Sequence, residues 1–183
     1  MKITATIITL NEEKDLPVCL KSIKNLVDEI IVVDSGSTDK TVEIANKFRA
    51  KVYIRKFDNY ANQKNFAAEK ANGEWILSLD ADEEITPELA EEVKSVISLS
   101  VQQLISGFSI PRINIIFGKL IKYTRWQPEL DRHIWLGKKS KGKWIGDVHE
   151  EVVVEGEVGK LKNAKIHYQY ETVREFLDMI DRY

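Results

Sequence analysis

Apolar, β-branched runs alternate with segments of helical spacing through the first half of the chain. This alternation predicts a mostly parallel sheet with helices on both faces, which is an α/β fold. The predicted strands are Ile3–Leu10, Glu29–Asp34, Val52–Ile54 and Trp75–Leu79. The predicted helices are Glu12–Leu26, Thr38–Phe48, Asn59–Ala71, and a segment that Thr86 caps and that runs from Pro87 to about Ile97.

The second half has a different pattern, typical of strands and hairpins. Strands are predicted at Gly107–Ile116, Leu130–Leu136, Val152–Glu155 and Ala164–Tyr170, with turns near Gly137–Gly142 and Gly156–Gly159. The chain stops inside an amphipathic helix, Thr172–Tyr183, which predicts a missing continuation or a partner for its apolar face. Residues 1–100 and 101–183 are expected to be two halves of one continuous domain.

Polar side chains follow three of the predicted strands. Strand one leads into Asn11 and Glu12, strand two ends in Asp34, and strand four ends in Asp80-Ala81-Asp82. Each polar group alone is often only a helix cap. Ligands in open α/β sheets bind beyond the carboxyl ends of the strands, so three such ends predict one site. Paired carboxylate oxygens there suit a divalent cation and the phosphates that it carries.

Composition narrows the class of protein. The chain has 183 residues and a formal net charge of −2, which argues against a general nucleic-acid binder. The lone cysteine, Cys19, excludes internal disulfides and lies in an apolar helical pattern, so we interpret it as a core residue and not as a reactive thiol. The chain has no signal-peptide pattern and no apolar stretch of ~18 residues, so we expect a cytoplasmic protein.

Basic residues are concentrated in the second half. This stretch is either a solvated face, or a surface for an anionic acceptor or a negatively charged membrane, which would place the protein peripherally at the inner face. It contains Lys119, Lys122, Arg125, Arg132, Lys138, Lys139, Lys141 and Lys143.

The loops at the strand ends resemble family 2 glycosyltransferases of the GT-A fold. Ile7–Glu13 resembles that family's first nucleotide loop, Val32–Thr41 its second, and Asp80–Glu83 its Asp-x-Asp motif. Gln63–Asn65 and Gly73–Trp75 resemble the segments that lead into the family's metal-binding strand. The chain departs at Ser35, where the commoner family form has Asp.

One branch of the family is closer than the rest. The sequence Asp-Ser-Gly-Ser-Thr-Asp at residues 34–39 resembles that of one branch, the β-1,4-glucosyltransferases that add sugar to the inner core of bacterial lipopolysaccharide. Further segments fit that branch: Arg112, Asn114, Gly118-Lys119, Trp126–Glu129, Arg132 and Val148–Glu150. The resemblance implies glucose as the donor sugar and UDP-glucose as the donor.

The resemblance also implies residue roles on the donor side. Asp34 would bond the nucleotide base, Asp80 the ribose or donor sugar, and Lys64 the base or diphosphate, unless Lys64 is only an exposed helix lysine. Asp82 would ligate Mn²⁺ or Mg²⁺, and His167 would complete the metal shell unless it is structural. The nucleotide pocket would also include Thr9, Asn11, Glu12 and Ala81.

An inverting transfer needs a base that takes the proton of the acceptor hydroxyl, and a positioned carboxylate contributes ~10²–10⁴-fold to the rate. By analogy with the family, Glu150 is the first choice and Asp147 the second, while His149 is either acceptor-binding or structural. Arg112, Trp126 and Arg132 are assigned to the acceptor. Trp126, Trp135 and Trp144 are equally consistent with sugar stacking and with core packing.

Two other functions fit parts of the pattern. A phosphohydrolase also uses a strand-end Asp-x-Asp, but such enzymes carry it on the first strand, and here it follows the fourth. A non-catalytic domain that binds a nucleotide-sugar is the second alternative. A dehydrogenase and a Walker A protein are excluded by the missing glycine motifs.

Overall fold

The computed structural model describes residues 2–98, 104–123, 126–147 and 150–180, of which 178–180 are described by their backbone alone. The first half contains β1 (Ile3–Thr9), α1 (Leu16–Ile23), β2 (Glu29–Asp34), α2 (Thr41–Lys47), β3 (Lys51–Ile54), α3 (Tyr60–Lys70), β4 (Trp75–Asp80), β5 (Glu83–Ile85) and α4 (Pro87–Ser98). The second half contains β6 (Ile105–Ile116), β7 (Lys119–Leu120), β8 (Arg132–Lys138), β9 (Gly142–Ile145), β10 (Glu151–Val154), β11 (Glu157–Lys160), β12 (Lys165–Gln169) and α5 (Val173–Ile180).

Ten of these strands form one sheet that draws on both halves of the chain. Its order is β3-β2-β1-β4-β8-β6-β12-β5, with β7 and β11 also paired to β6. The four strands β3, β2, β1 and β4 are mutually parallel, and β8 is antiparallel to both of its neighbours. A small antiparallel pair, β9–β10, lies outside this sheet. The α/β prediction with a mostly parallel sheet is confirmed.

The strand register brings the predicted polar ends together. Thr9 pairs with Asp34 across β1 and β2, and Ile8 pairs with Asp80 across β1 and β4. Parallel pairing places all three carboxyl ends at the same edge of the sheet. The convergence predicted from three separate loops is therefore a consequence of pairing around β1.

The main core lies between the sheet and the helices that cover it. Leu16, Cys19, Leu20 and Ile23 of α1 are fully buried, as are Ile7 and Leu77 of the central strands. These α1 positions share one helix face, which explains the apolar spacing in the sequence. The interpretation of Cys19 as a core residue is confirmed.

Two predicted helix boundaries have clear local causes. The hydroxyl of Thr86 accepts the N–H of Leu89 at 3.2 Å, which confirms Thr86 as the cap of α4. After α3, the N–H of Gly73 donates to Thr4 Oγ1 at 2.9 Å. A Cβ at position 73 would lie 2.8 Å from the Thr4 nitrogen, so only glycine allows this close approach to β1.

The structure corrects three predicted boundaries. The turn predicted near Gly156–Gly159 is confined to Glu155 and Gly156, where Gly156 has a φ of 121°, because Glu157–Lys160 forms β11 and pairs in parallel with β6. The first helix begins at Leu16 and not at Glu12, because Pro17 occupies its first turn and residues 10–15 connect it to β1. Strand β8 begins at Arg132 and not at Leu130.

Three further strands, besides β11, were missing from the sequence prediction. Strands β5 and β7 have three and two residues, too short for a periodic signal, and β9 replaces part of a predicted turn region. In the part of the chain that the structure describes, no helix combines the length and the hydropathy needed to cross a membrane.

Candidate active site

A buried ion pair shapes the turn that carries Asp80 and Asp82. Glu83 Oε2 accepts the backbone N–H of Asp80 at 3.0 Å and a hydrogen bond from Lys165 Nζ at 2.5 Å. Both charged side chains are fully buried, and the ammonium also lies 3.2 Å from the ring centre of Trp135. Breaking such a pair would leave a buried charge uncompensated. The turn after β4 therefore has a fixed backbone.

The structure brings Asp82 and His167 together. His167 Nε2 lies 3.1 Å from Asp82 Oδ2, and the backbone N–H of Tyr168 donates to the Asp82 carbonyl at 2.9 Å. The Asp82 side chain is 31% exposed, so one side of this pair faces solvent. The two residues predicted as metal ligands are thus neighbours, although β12 lies far from β4 in the chain.

This donor set fits a divalent ion that also binds phosphates. The described residues contain no group of three or more His, Cys, Asp or Glu side chains placed to hold a metal by themselves. Ions bound with a nucleotide diphosphate need few protein ligands, because phosphate oxygens and waters supply the rest. An imidazole beside a carboxylate favours a transition metal such as Mn²⁺ over Mg²⁺, which takes oxygen ligands.

A cavity of about 310 Å³ opens at the ends of β1 and β4. Its size is in the range of small-molecule sites. Six of its lining residues were predicted to bind the donor or the metal: Thr9, Glu12, Asp80, Ala81, Asp82 and His167. Ser35, Phe57 and Tyr60 also line it and had no predicted role.

Both carboxylate oxygens of Asp34 accept hydrogen bonds from other groups of the protein. Its Oδ1 accepts the N–H groups of Gly36 and Ser37, at 3.0 and 2.8 Å, and its Oδ2 accepts the hydroxyls of Thr9 and Ser37, at 2.9 and 2.5 Å. The side chain is fully buried. Asp34 thus braces the second loop, and its contact with a nucleotide base stays a prediction.

Asn11 links the two nucleotide loops to each other. Its backbone N–H donates to Ser37 Oγ at 2.8 Å, and its side-chain oxygen accepts the N–H of Thr38 at 2.8 Å. Asn11 has a φ of 58°, a left-handed conformation that asparagine tolerates well. The predicted role in the nucleotide pocket is untested, and the observed role is to hold the loops in register.

Glu12 has an unusual acid-base character. Burial raises the pKa of Glu12 to about 8, with further contributions from the negative charges of Asp82, Asp15, Asp39 and Asp80. A carboxyl with this pKa is mostly protonated at neutral pH in the metal-free chain. It can then donate a hydrogen bond to a sugar or ribose oxygen.

Lys64 lies at the centre of the site and is not an exposed helix lysine. Its side chain is 3% exposed, and Nζ lies 3.1 Å from Asp80 Oδ1 and 2.8 Å from Glu150 Oε1. Nζ also lies 4.7 Å from the ring centre of Trp144. Burial by itself would lower the pKa of Lys64, but the charges of Asp80 and Glu150 outweigh it and raise that pKa.

Asp80 is ionised under all ordinary conditions. Burial would raise the pKa of Asp80, but the neighbouring charges of Lys64 and Lys165 reverse this and lower the pKa to about 2. Two carboxylates, Asp80 and Glu150, therefore share the ammonium of Lys64.

A second cavity, of about 490 Å³, is also lined by Asp80. The two cavities therefore have this residue in common. Glu150, Arg112 and Arg132 also line the second cavity, as do Ser109, His133, Ile134, Trp135, Trp144, Glu151 and Val152. The predicted base and two predicted acceptor residues thus share one cavity.

The two arginines of this cavity are already engaged. Arg112 binds the Asp131 carboxylate through Nε at 2.9 Å and Nη2 at 3.1 Å. Arg132 Nη1 donates to the carbonyls of Ser109 and Leu161, at 2.9 and 2.8 Å. Their acceptor role stays a prediction, with part of each guanidinium used to hold the fold.

The remaining predicted site residues are more dispersed. Asp147 is exposed and accepts a hydrogen bond from Asn59 Nδ2 at 3.2 Å. Trp126 is 40% exposed, whereas Trp135 and Trp144 are each 7% exposed, so these two combine core packing with lining the second cavity. His149 lies outside the described residues.

The basic stretch is not a uniform free surface. Lys139 Nζ donates to the carbonyls of Ala71 and Glu69, at 2.7 and 3.1 Å, and Arg132 is bound as described above. Lys119, Lys122 and Lys141 are exposed. Part of the positive charge therefore stabilises backbone carbonyl groups.

No role was predicted for four residues that are buried around the site, although the first two lie in segments that resemble the family: Glu83, Asn114, Lys165 and Asp131. A usable signal existed for two of them. Asn114 interrupts the apolar run Ile113–Ile116, and Lys165 lies two residues before His167 in a strand, on the same face. Buried polar groups in strands require partners, which marks such positions as candidates.

Comparisons with known proteins agree with this geometry. The family model described as glycosyl transferase family 2 matches residues 4–112, more than half of the chain. An uncharacterized glycosyltransferase of Rickettsia typhi is 30% identical over all of this chain and 65% of its own length. The lipopolysaccharide core biosynthesis glycosyltransferase LpsC of Rhizobium meliloti is 31% identical over 91% of this chain and 62% of its own length.

The chain is shorter than these relatives. An uncharacterized glycosyltransferase of Rickettsia bellii is 43% identical over 109 residues, which are 60% of this chain and 37% of the relative. The chain thus spans between 37% and 65% of the lengths of these three relatives.

Solved structures share the fold. The crystal structure of S. aureus TarS 1–349 in complex with UDP has a TM-score of 0.63 and 17% identity, over 98% of this chain and 63% of that chain. The mannosyltransferase PcManGT from Pyrobaculum calidifontis, in complex with GDP-Man and Mn²⁺, has a TM-score of 0.51 and 23% identity, over 61% of this chain and 35% of that chain.

Proposed function

This chain belongs to glycosyl transferase family 2, and on that premise we propose that it transfers a sugar, with inversion, from a nucleotide diphosphate to a glycan hydroxyl. The observation that carries the proposal is the position of Asp80. Asp80 lines both the cavity that contains Asp82 and His167 and the cavity that contains Glu150. A donor in the first cavity and an acceptor in the second would meet there.

The donor side offers charge and hydrogen bonds suited to a nucleotide-sugar. Asp82 and His167 would hold a divalent ion, which neutralises the charge of the diphosphate as the sugar bond breaks. Asp80 would bond the ribose or the donor sugar, and Glu12 would form a hydrogen bond within the same cavity. Phe57 and Tyr60 line the same cavity in edge-to-face contact, which gives an aromatic surface for a base.

The acceptor side offers a base. Glu150 is placed in the second cavity beside Asp80. In the transfer, the acceptor oxygen forms a bond to the anomeric carbon from the face opposite the diphosphate. Its proton passes to the Glu150 carboxylate, and the nucleoside diphosphate leaves with the electron pair of the broken bond.

The proposed substrates are UDP-glucose and an anionic glycan such as the inner core of lipopolysaccharide. The similarity to LpsC over 91% of the chain supports the acceptor, and the resemblance of residues 34–39 to the glucosyltransferase branch supports the donor. The exposed lysines of the basic stretch support a cytoplasmic location at the inner face of the membrane.

The experiment is a calorimetric titration of UDP into the full chain, with and without Mn²⁺. We expect binding that depends on Mn²⁺, together with release of UDP from UDP-glucose when an inner-core oligosaccharide is added. Binding that ignores the metal, or no binding, would contradict the proposal. Binding without transfer would instead support the alternative of a non-catalytic nucleotide-sugar-binding domain.

A further inference from the structure

A buried asparagine, Asn114, contacts the predicted metal ligand His167 at the ring nitrogen that does not face Asp82. Asn114 lies in the middle of β6, is fully buried, and pairs directly with His167 of β12 in the parallel register. Its Oδ1 lies 3.0 Å from His167 Nδ1. The other side of the imidazole faces Asp82, at 3.1 Å from Nε2.

The orientation of the Asn114 amide is set by its other contacts. Its Nδ2 donates to Asp131 Oδ2 at 2.6 Å and to the carbonyl of Trp126 at 3.3 Å. An ionised carboxylate can only accept hydrogen bonds, so the NH₂ group must face Asp131 and the oxygen must face His167.

Asp131 is itself held in its ionised form and in place. Arg112 binds both of its carboxylate oxygens, and His133 Nε2 lies 3.3 Å from Oδ1. Burial would raise the pKa of Asp131, but hydrogen bonds from His133, Arg112 and Asn114 hold it well below its ordinary value. Arg112 therefore acts on the site through Asp131 and Asn114.

The consequence is a defined tautomer of His167. Asn114 Oδ1 can only accept a hydrogen bond, so it favours a proton on Nδ1 of His167. Asp82 Oδ2 beside Nε2 is also an acceptor, and a metal ion bound there would displace any proton on Nε2 and take its lone pair, while the proton on Nδ1 stays with Asn114. A lone pair there is what a metal ion requires of an imidazole, and a partner on the other nitrogen also raises ligand basicity.

We propose that Asn114, oriented by Asp131 and Arg112, is a positioning residue that sets the tautomer of His167 for metal binding. This inference rests on the proposed metal site. A purely structural Asn114 would satisfy buried polar groups and affect stability, but its loss would leave the tautomer of His167 and the affinity for metal unchanged.

The first test reads the tautomer directly, without metal. Long-range ¹H–¹⁵N spectra of the imidazoles are recorded for the metal-free full chain in mildly alkaline buffer, and His167→Gln assigns the signal among the three histidines. We expect a proton on Nδ1 of His167 in the unmodified chain, and in Asn114→Leu a ring without a proton on Nδ1 that carries it on Nε2 and donates to Asp82. The same tautomer in both proteins would overturn the inference.

The second test measures free Mn²⁺ by electron paramagnetic resonance in the presence of UDP. Asn114→Leu should weaken Mn²⁺ binding by about 10- to 100-fold, as loss of a partner behind a ligating histidine does. Asn163→Leu is the control, since that half-buried amide binds Glu92 at 2.9 Å on the other flank of β12 and should leave affinity unchanged. An equal loss in both variants would overturn the inference.

A third variant keeps the test decisive if Asn114→Leu does not fold. The exchange Asn114→Asp with Asp131→Asn preserves an acceptor for His167 Nδ1 and a hydrogen bond between the two side chains. We expect it to keep the Nδ1–H tautomer and Mn²⁺ affinity within a few-fold, and loss of that tautomer would contradict the inference. Absence of Mn²⁺ binding in the unmodified chain would instead refute the proposed function, while the spectra still decide the role of Asn114.

Discussion

The ammonium of Lys64 lies 2.8 Å from the carboxylate of Glu150, although 86 residues separate them in the chain. The same ammonium lies 3.1 Å from Asp80, so one lysine of α3 joins the donor side of the site to the proposed base. One of the two carboxylate oxygens of Glu150, Oε1, already accepts a hydrogen bond from Lys64. Substrate binding is therefore expected to loosen the contact between Lys64 and Glu150 before the proton is transferred.

Replacing Lys64 should destabilise the protein. Lys64→Met leaves Asp80 and Glu150 without their shared cation, and breaking a buried ion pair costs about 3 kcal/mol or more. Urea denaturation followed by circular dichroism measures the change. The control is Lys47→Met, because the Lys47 side chain is 68% exposed in a surface pair with Glu43 and its loss should cost less than about 1 kcal/mol. Similar costs for both variants would refute the central role of Lys64.

Replacing Glu150 should separate binding from transfer. Glu150→Gln keeps the shape of the side chain but cannot accept the acceptor proton, so the rate of UDP release in the presence of acceptor should fall by ~10²–10⁴-fold. Mn²⁺-dependent UDP binding should remain. Asp147→Asn is the matched control, since Asp147 is exposed, and it should retain most of the rate. The opposite ranking of the two variants would make Asp147 the base.

Replacing Asp82 should remove the effect of the metal. In Asp82→Asn, His167 remains as the one predicted protein ligand, so UDP affinity measured by calorimetry should no longer increase with Mn²⁺. The unfolding midpoint of the metal-free protein should change little, because Asp82 is partly exposed. Glu84→Gln changes a carboxylate two residues away that binds the Tyr168 hydroxyl at 2.6 Å, and it should behave like the unmodified chain. An unchanged Mn²⁺ effect in Asp82→Asn would exclude Asp82 as a ligand.

Glu12 predicts a pH dependence of stability in the metal-free chain. The folded-state pKa is raised to about 8 from the ordinary 4.5, so between these values the folded chain binds a proton that the unfolded chain has lost. The contribution of Glu12 to stability is therefore fully present below pH 4.5 and is lost as the pH rises toward 8. Glu12→Gln, which cannot ionise, should lose less stability across this window.

The measurement is the free energy of unfolding in urea with a chelator present. At pH 8 we expect Glu12→Gln to gain on the order of 1 kcal/mol relative to the unmodified chain, a value reduced for solvent screening. At pH 5 the two proteins should differ much less. A parallel pH dependence in both proteins would show that Glu12 titrates normally.

The part of the candidate site that the first half of the chain contributes was largely predictable, because its residues lie at the ends of neighbouring strands. Thr9, Asp34 and Asp82 each follow or end a strand with a strong apolar signal, and parallel pairing of adjacent strands brings such ends together. The predicted neighbours Thr9 and Asp34 indeed share a hydrogen bond of 2.9 Å. Short apolar strands with polar ends can be predicted from the sequence without knowledge of distant contacts.

The second half was less predictable because its strands find distant partners. In strand β11, Glu157 and Lys160 each directly follow a glycine, a pattern typical of turns. The strand nevertheless pairs with β6, about 50 residues earlier in the chain. Lys64 could equally be an exposed helix residue by its spacing. Lys64 is buried because the folded chain places Trp144 and Glu150 against its ammonium group.

The sequence by itself determined the α/β alternation, the family and the position of the Asp-x-Asp turn, since these depend on residues close together in the chain. The tertiary structure alone decided which charges meet: Asp82 with His167, Lys64 with Glu150, and Asn114 with both His167 and Asp131. The physical reason is the range of the interactions. Apolar periodicity acts over a few residues, whereas a buried charge or amide is satisfied by whatever group the folded sheet places within about 3 Å of it.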